Sequence, residues 1–457
     1  MKRIWIVIAL LCSLLVLASC GGGGGGGGSG DDDSDDNLSD LASMNITDAK
    51  SIFIRSGSGS ASSIGMSSPA KASGSSSTSR LYKINDAGVV DEVGFFDKDH
   101  KQITLQRYGV DLVPVFIENI NDDYIAVGFA DSYNATSNYI WLSTAIIARK
   151  SDGAIFKLNN IPDCQNLNNY GGWGYIRNGR LFKSDNSGNI YYINQLRDDW
   201  DERTERTIHT RAGITKISVS GSGLASSIIT PSTDDSFYGF ELDSAGNMVY
   251  DGWSQLTNDS AKRLRTADGI YKNVPTYSTI WTDQDGKFHF IDGMDVKVIN
   301  PSTFETEVYG SFPDYPTSWA DYKVSLQGYT YLISNGGILE VYNSTASPRT
   351  IDLGLSIANI YGVACTENFY YIAGKDSSSN CFLIKVTPGG TSYTTILGSK
   401  YQVYAFSASE TDGITFNALD TSTMKKVLGK VSINGGVPTI LDSENDNSQI
   451  TFLERIR

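Results

Sequence analysis

One phrase recurs along this chain from residue 80 onward: a short run of β-branched and aromatic residues, a tight turn, and a second such run. Arg80-Leu-Tyr-Lys-Ile84, Asp86-Ala-Gly88 and Val89-Val-Asp-Glu-Val93 give it first. It returns as Ala148-Arg-Lys150, Ser151-Asp-Gly153 and Ala154-Ile-Phe-Lys-Leu158, then as Phe382-Leu-Ile-Lys-Val386, Thr387-Pro-Gly-Gly390 and Thr394-Thr-Ile-Leu397. A further copy is Leu428-Gly-Lys-Val-Ser-Ile433, Asn434-Gly-Gly436 and Val437-Pro-Thr-Ile-Leu441. Short runs rich in Tyr, Phe, Ile, Val and Thr between Gly, Asn, Asp and Pro turns read as strands, and no long stretch keeps a helical period. Strand sets centred near Lys297, Glu340, Lys385 and Val431 lie 43, 45 and 46 residues apart. A repeat of roughly 40 to 50 residues holding four strands cannot bury both of its faces alone and must stack on its neighbours, as propeller blades do.

The expected fold is therefore all-β, a β-propeller of seven or eight four-stranded blades over residues 80–457, preceded by a disordered tether. Blades are expected near residues 112–158, 171–230, 236–274, 277–309, 321–353, 358–398 and 401–442, with Tyr361-Gly-Val-Ala364 and Phe369-Tyr-Tyr-Ile-Ala373 opening the cleanest unit. The leftover hairpin 80–96 is expected to be completed by the C-terminal strand Gln449-Ile-Thr-Phe-Leu453, which would close the ring and hide its edges. Seven blades result if the region 171–274, with its charged insertion from Arg197 to Arg206, is one elaborated blade. Two β-sandwich domains in series are the alternative, disfavoured because no Pro- or Ser-rich linker interrupts residues 80–457.

Composition supports a large folded body. The 457 residues are 40% apolar and 11% aromatic, enough for an extensive core, while 19% charged residues are too few for a coiled coil or helical repeat. With 37 Lys and Arg against 51 Asp and Glu, the net charge of −14 argues against a nucleic-acid partner.

Residues 1–19 form an address. Lys2 and Arg3 precede an apolar run from Ile4 to Leu17. As a helix this run spans only about 21 Å, short of a hydrocarbon core of about 30 Å, so it reads as a signal peptide rather than a span. It ends Leu17-Ala18-Ser19-Cys20, which resembles the lipobox of bacterial lipoproteins. That resemblance implies diacylglycerol on the Cys20 thiol, cleavage before Cys20 and an added N-acyl chain such as palmitate. Several acyl chains on one residue suffice for stable membrane attachment. Gly21 after the cysteine, rather than Asp, implies sorting to the outer membrane of the cell envelope, facing either the periplasm or the surface.

From residue 20 to 79 composition predicts a tether: eight glycines from Gly21 to Gly28, the acidic run Asp31, Asp32, Asp33, Asp35, Asp36, and a Ser/Gly/Ala tract from Ser56 to Ser79. Such a chain reaches about 43 Å root-mean-square. Within it, Ser51-Ile52-Phe53-Ile54-Arg55 stands out as a strand that could dock on the body.

Chemical motifs are sparse. His100, His209 and His289 form no metal-binding pair, no G-x-S-x-G elbow occurs among the strands, and no metal or dissociable cofactor is predicted. Asp283-Gln-Asp285-Gly286 and Asp442-Ser-Glu444-Asn-Asp446-Asn447 lack parts of a calcium loop and read as hairpin turns. Outside the cytoplasm thiols oxidise. Cys365 and Cys381 flank one predicted hairpin, which leaves two readings open, a cross-strand disulfide or two buried thiols; Cys164 has no evident partner.

Aromatic residues are the remaining candidates. Tyr170, Trp173, Tyr175, Trp253, Trp281 and Trp319 recur near predicted strand starts, where rings around a central funnel could stack on a sugar or peptide; the alternative is packing between blades. Signal, lipobox, tether and repeats together resemble bacterial lipoproteins carrying a β-propeller, although the Ala-x-Asp-x-x-Thr-Gly-x-x-x-Trp motif of quinone-cofactor propellers is absent. The expected function is a membrane-anchored module that binds a protein or glycan. The rival is a polysaccharide hydrolase or lyase, which would need acids such as Asp163, Asp234, Asp235, Asp283 and Asp321 converging on the funnel.

Overall fold

The computed structural model describes residues 40–56, 79–107, 110–131, 144–157, 182–194, 198–201, 206–209, 213–220, 223–229, 236–254, 259–274, 280–283, 286–311, 322–334, 337–342, 349–444 and 449–456. Among them the regular elements are all strands, and eight antiparallel sheets of at least four strands follow one another along the chain. Named from the axis outward, blade 2 comprises Val110–Asn119, Tyr124–Asp131, Thr144–Arg149 and Ile155–Lys157, with Gln106–Arg107 added at its inner edge. Blade 3 comprises Phe182–Ser184, Ile190–Asn194, Gly213–Ser220 and Gly223–Ile228; blade 4 comprises Ser236–Leu242, Met248–Ser254, Asp259–Arg265 and Tyr271–Val274. Blade 5 runs from Ile280–Thr282 to Thr306–Ser311, blade 6 from Tyr322–Leu326 to Arg349–Ile351, blade 7 from Ile357–Cys365 to Tyr393–Leu397 and blade 8 from Tyr401–Ser409 to Thr439–Glu444.

Blade 1 joins the two ends of the chain. Its innermost strand is C-terminal Gln449–Arg455, followed outward by Ala49–Ser56, Arg80–Asn85 and Val90–Glu92. The C-terminal strand packs between the innermost strands of blades 8 and 2, so the ring is closed. The structure is an eight-bladed β-propeller.

Each seam has its own apolar core. Phe182, Ile190 and Ile217 of blade 3 meet Val113, Ile147 and their neighbours of blade 2. Tyr191 and Ile214 of blade 3 turn instead to Phe240 and Met248 of blade 4. The same tiling continues around the ring to the pair of blades 8 and 1, where Leu428 meets Phe53 and Leu453. The geometry explains the sequence. Successive strand side chains point to opposite faces, and both faces of a blade are covered. Tyr370 and Ile372 therefore fill the seam of blades 6 and 7, while Tyr371 and Ala373 fill that of blades 7 and 8. That is why Phe369-Tyr-Tyr-Ile-Ala373 is apolar without alternation. Each such buried aromatic or aliphatic side chain contributes about 1.5 to 3 kcal/mol.

Two expectations need correcting. The folded body does not begin at residue 80. Ala49–Ser56 pairs with both Arg80–Asn85 and the C-terminal strand, so the C-terminal strand completes the sheet of the 80–96 hairpin as expected but is paired to it through Ala49–Ser56. Ile52, Phe53 and Ile54 are all fully buried because this strand is covered on both faces, one side against blade 2 and the other against blade 8. Leu41–Met44 forms a second small sheet with Phe95–Asp97 and Gln102–Ile103. This sheet is latched to blade 2 where the Met44 amide donates to the Gly153 carbonyl at 2.9 Å. Gly153 has φ +72°, and a Cβ there would lie 1.9 Å from the Met44 carbonyl oxygen, so the latch needs glycine. The seven-blade count also fails. Region 171–274 contains two complete sheets, and part of its charged insertion is a separate hairpin, Asp198–Asp201 against Arg206–His209.

Candidate functional site

The innermost strands converge on the axis, and their local sequence decides what lines it. In blades 2, 4, 7 and 8 the pairing of the strand Val110–Asn119 and of the innermost strands slips, leaving Val115, Tyr238, Tyr361 and Tyr404 as extra, bulged residues, with a second slip in blade 7 at Ala358. A bulge re-aims a side chain and locally ends regular pairing. Three of them share a pattern: Phe237-Tyr238-Gly239, Ile360-Tyr361-Gly362 and Val403-Tyr404-Ala405. A small residue after the tyrosine leaves room for the irregular backbone.

Three residues beyond the bulge, about 10 Å along the strand, blades 2 and 4 carry Glu118 and Glu241. Glu118 is buried and accepts a hydrogen bond from the Phe182 amide of blade 3 at 3.0 Å. Glu241 is the hub of a wider bridge. Lys183 of blade 3 donates to its Oε2 at 2.7 Å, and Lys323 of blade 6 donates both to its Oε1 and to the Ile280 carbonyl of blade 5. Blades 4 and 6 are separated by blade 5, so this bridge spans it along the ring. Burial alone would push the Glu241 carboxyl up, but the charges and hydrogen bonds of the two lysines outweigh it and hold it down at about 2. Glu241 is thus a fixed carboxylate that ties four blades together, and near neutral pH it has no proton to give.

The opposite side of the ring carries an aromatic pair. The Tyr361 and Tyr404 rings lie 6.2 Å apart across blades 7 and 8, and the Tyr361 hydroxyl accepts from Gln402 at 3.2 Å. Burial raises the Tyr361 and Tyr404 phenols and the nearby Cys381 thiol, so all three keep their protons. Tyr404 nevertheless leaves 39% of its surface open. The wedge offers a flat ring face with amide and hydroxyl partners at its edge.

The residues singled out by sequence fare unevenly. Trp281 is not a ligand-facing ring: it is 2% exposed on the innermost strand of blade 5. It stacks on His289 at 5.5 Å within the core shared with blade 6. His289 Nε2 meets Asp283 Oδ2 at 2.6 Å, with both side chains fully buried. The packing alternative holds there. Trp253 lies in Met248–Ser254, paired with Ser236 and Ser260. Tyr170, Trp173, Tyr175, Trp319, Cys20 and Cys164 lie outside the described residues, as do Asp163, Asp234, Asp235 and Asp321.

Cys365 and Cys381 do not form a disulfide. Across the middle strand of blade 7, Cys365 sits opposite Tyr370 and Cys381 opposite Lys375. Five residues of strand separate them by about 17 Å, whereas a disulfide needs Cα atoms about 4 to 7 Å apart. Among the described residues no group of three or more His, Cys, Asp or Glu could hold a metal. The Asp-rich turns have another purpose. Asp185, Asp243 and Asp283 each begin the first turn of blades 3, 4 and 5 and accept the backbone amides of Asn189, Asn247 and Lys287 at 2.7 to 3.0 Å.

No family model and none of the curated proteins matches the chain. Among solved structures it is similar to a prolyl endopeptidase at 12% identity and TM-score 0.44, covering 84% of this chain and 56% of that one. It is also similar to puromycin hydrolase (8%, TM-score 0.39, covering 74% and 56%). A third likeness is the GH74 xyloglucanase from Xanthomonas campestris (10%, TM-score 0.40, covering 74% and 45%). The chain thus spans about half the length of these proteins.

Proposed function

We propose that this protein is a lipid-anchored module of the bacterial cell envelope, held at the outer membrane through acylated Cys20, whose propeller binds a protein or glycan ligand at its axis. A neutral glycan is the ligand that the site chemistry favours. The observation that carries this reading is the bulged pair Tyr361 and Tyr404, one ring half-open to solvent, with Gln402 alongside. Rings of this kind stack on sugar faces while amide and hydroxyl groups bond the hydroxyls. Hydrolase chemistry has less support: of the two axial carboxylates described, Glu241 is clamped by two lysines and Glu118 is engaged with a backbone amide. The anchor reading rests on the Leu17-Ala18-Ser19-Cys20 sequence, and among the described residues no helix is long and apolar enough to cross a membrane.

The test is a glycan screen with the full chain in detergent, followed by titration of any hit. Tyr404→Ala, which removes a partly open ring, should abolish binding while leaving the melting curve close to that of the parent. Unchanged binding by Tyr404→Ala and Gln402→Ala would overturn the axial site. Labelled palmitate should enter the chain and be lost in Cys20→Ser; its absence from the parent would overturn the anchor.

A further inference from the structure

A cleft opens at the closure seam, on the face carrying the first turn of each blade, at the Ser407–Ser409 end of the innermost blade-8 strand. Its walls come from parts of the chain that meet only when the ring closes: Lys50 in the strand Ala49–Ser56 with Asn85 and Gly88 of the adjoining hairpin, Arg455 at the end of the C-terminal strand, and Ser409, Asp412 and Lys430 of blade 8. It measures about 440 Å³ counted to its open mouth. Its enclosed part has room for roughly two water-sized groups, enough for one small charged group and too little for a sugar ring.

The charges in this wall do not balance. Asp412 is the single carboxylate lining it, and it is shared: Lys50 Nζ donates to Oδ1 at 2.7 Å, and an Arg455 nitrogen sits 3.3 Å from Oδ2. Asp86, out at the rim and largely exposed, lies 3.5 Å from Lys50. The Asp412 amide donates to the Ser409 hydroxyl at 3.1 Å, and that hydroxyl lies 3.1 Å from the Thr411 hydroxyl. The Lys430 side chain, by contrast, makes no hydrogen bond or close ion pair among the described residues and acts on Asp412 only at longer range, although it lines this cleft and an adjoining one with Glu410, Val431 and Ser432. Three cations thus surround one carboxylate in a protein whose net charge is −14. A partly enclosed wall in which lining cations outnumber the lining carboxylate attracts a counter-ion of matching size, and charge-assisted hydrogen bonds hold it.

We propose that this cleft is an anion site that takes a single carboxylate or phosphate group, bridging Lys430 to Lys50 and Arg455 across the closure seam. The anion completes the charge balance that Asp412 leaves open. Because its ligands belong to the N-terminal segment, the last blade and the C-terminal strand, it binds only the closed ring and stabilises closure by mass action. A bound acid group, whether part of an acidic sugar or a free phosphate, would clasp the two ends of the chain.

Titration of the full chain with inorganic phosphate and, separately, with glucuronate, each against chloride at matched ionic strength, tests this. Saturable binding of either probe is expected, with a melting temperature that rises with its concentration. Phosphate alone would assign a phosphate group, and glucuronate alone would assign a carboxylate. Lys430→Ala should weaken binding at least about tenfold with only a small change of melting temperature in chloride, because its side chain gives up no hydrogen bond and only a longer-range attraction to Asp412. Asp412→Asn, which removes the competing carboxylate, should tighten binding. No saturable binding beyond chloride, or binding unchanged in Lys430→Ala, would overturn the proposal. The axial site stands or falls separately, since Tyr404→Ala should leave this titration unaffected.

Discussion

The seam between blades 6 and 7 and the seam between blades 8 and 1 solve the same problem by different means. The first is a broad apolar core, with Ile333, Ile372, Ile384 and Val386 fully buried and Tyr331 stacked on Tyr370 at 4.3 Å. The second, where the chain ends meet, has a smaller one: Phe53, Ile84, Leu428 and Leu453. Around it lie polar ties: Lys50 and Arg455 on Asp412, Arg55 on Asp442, and the Asn417 side-chain amide on the Ile450 carbonyl at 2.9 Å. Consecutive blades are joined by the backbone and need only pack. The closing pair must also choose its register and recruit strands from both ends, which directional ion pairs specify better than apolar contact does. Exposed ion pairs are worth little individually and are screened by salt, so the closing seam should be the weaker and the more sensitive to conditions.

The largest break is to end the chain at residue 448, which removes the innermost strand of blade 1 and bares the edge of Ala49–Ser56. The ring should no longer melt cooperatively and should self-associate, as read by circular dichroism and gel filtration. Next comes the apolar seam. Ile372→Ala should cost about 2 to 5 kcal/mol in urea unfolding, with little dependence on salt. Acid should act through the axial bridge. The carboxyl of Glu241 is held down at about 2 from an ordinary 4.5, so its stabilisation is complete above the ordinary value and is lost as pH falls from about 4.5 toward 2. Solvent still reaches 14% of that side chain, so the loss is at most about 3 kcal/mol. Glu241→Gln should flatten this part of the stability profile. The smallest effect is Asp412→Asn, expected to cost about 0.2 to 1 kcal/mol at low salt and less at 1 M. Asp412 is held below its usual range by the Lys50 hydrogen bond and by the Lys50, Arg455 and Lys430 charges, so the parent's advantage over the variant should vanish as acid protonates it. Equal salt sensitivity in Ile372→Ala and Asp412→Asn would break the contrast between the seams.

The blade boundaries were legible because a strand covered on both faces cannot hide polar residues. From blade 4 onward each sheet falls within a few residues of its expected limits. Ala49–Ser56 was harder to place because its apolar stretch is only three residues long and is flanked by Ser/Gly-rich sequence, so average composition masks it. Trp281 misled for the opposite reason. Its position near a strand start suggested a loop, but that strand is the innermost one and its neighbour is a buried histidine. The axial tyrosines have a faint signature, an apolar residue, Tyr, then Gly or Ala, repeated in blades 4, 7 and 8, yet one sequence does not show that the tyrosine is the bulged residue. The bridge from Lys183 through Glu241 to Lys323 has no local pattern at all, because its members are 58 and 82 residues apart and meet only through the curvature of the ring.

Placing Ala49–Ser56 second from the axis, flanked by a strand on each side, has a mechanical consequence. Tension applied at the N-terminal end, once the Leu41–Met44 latch has given way, runs along the strand, so its bonds to both neighbours are loaded in shear and must give way together rather than unzip one at a time. A propeller hung by that end would hold its shape under a steady pull, and the rate of forced opening would report on blade 1 before any other part of the ring.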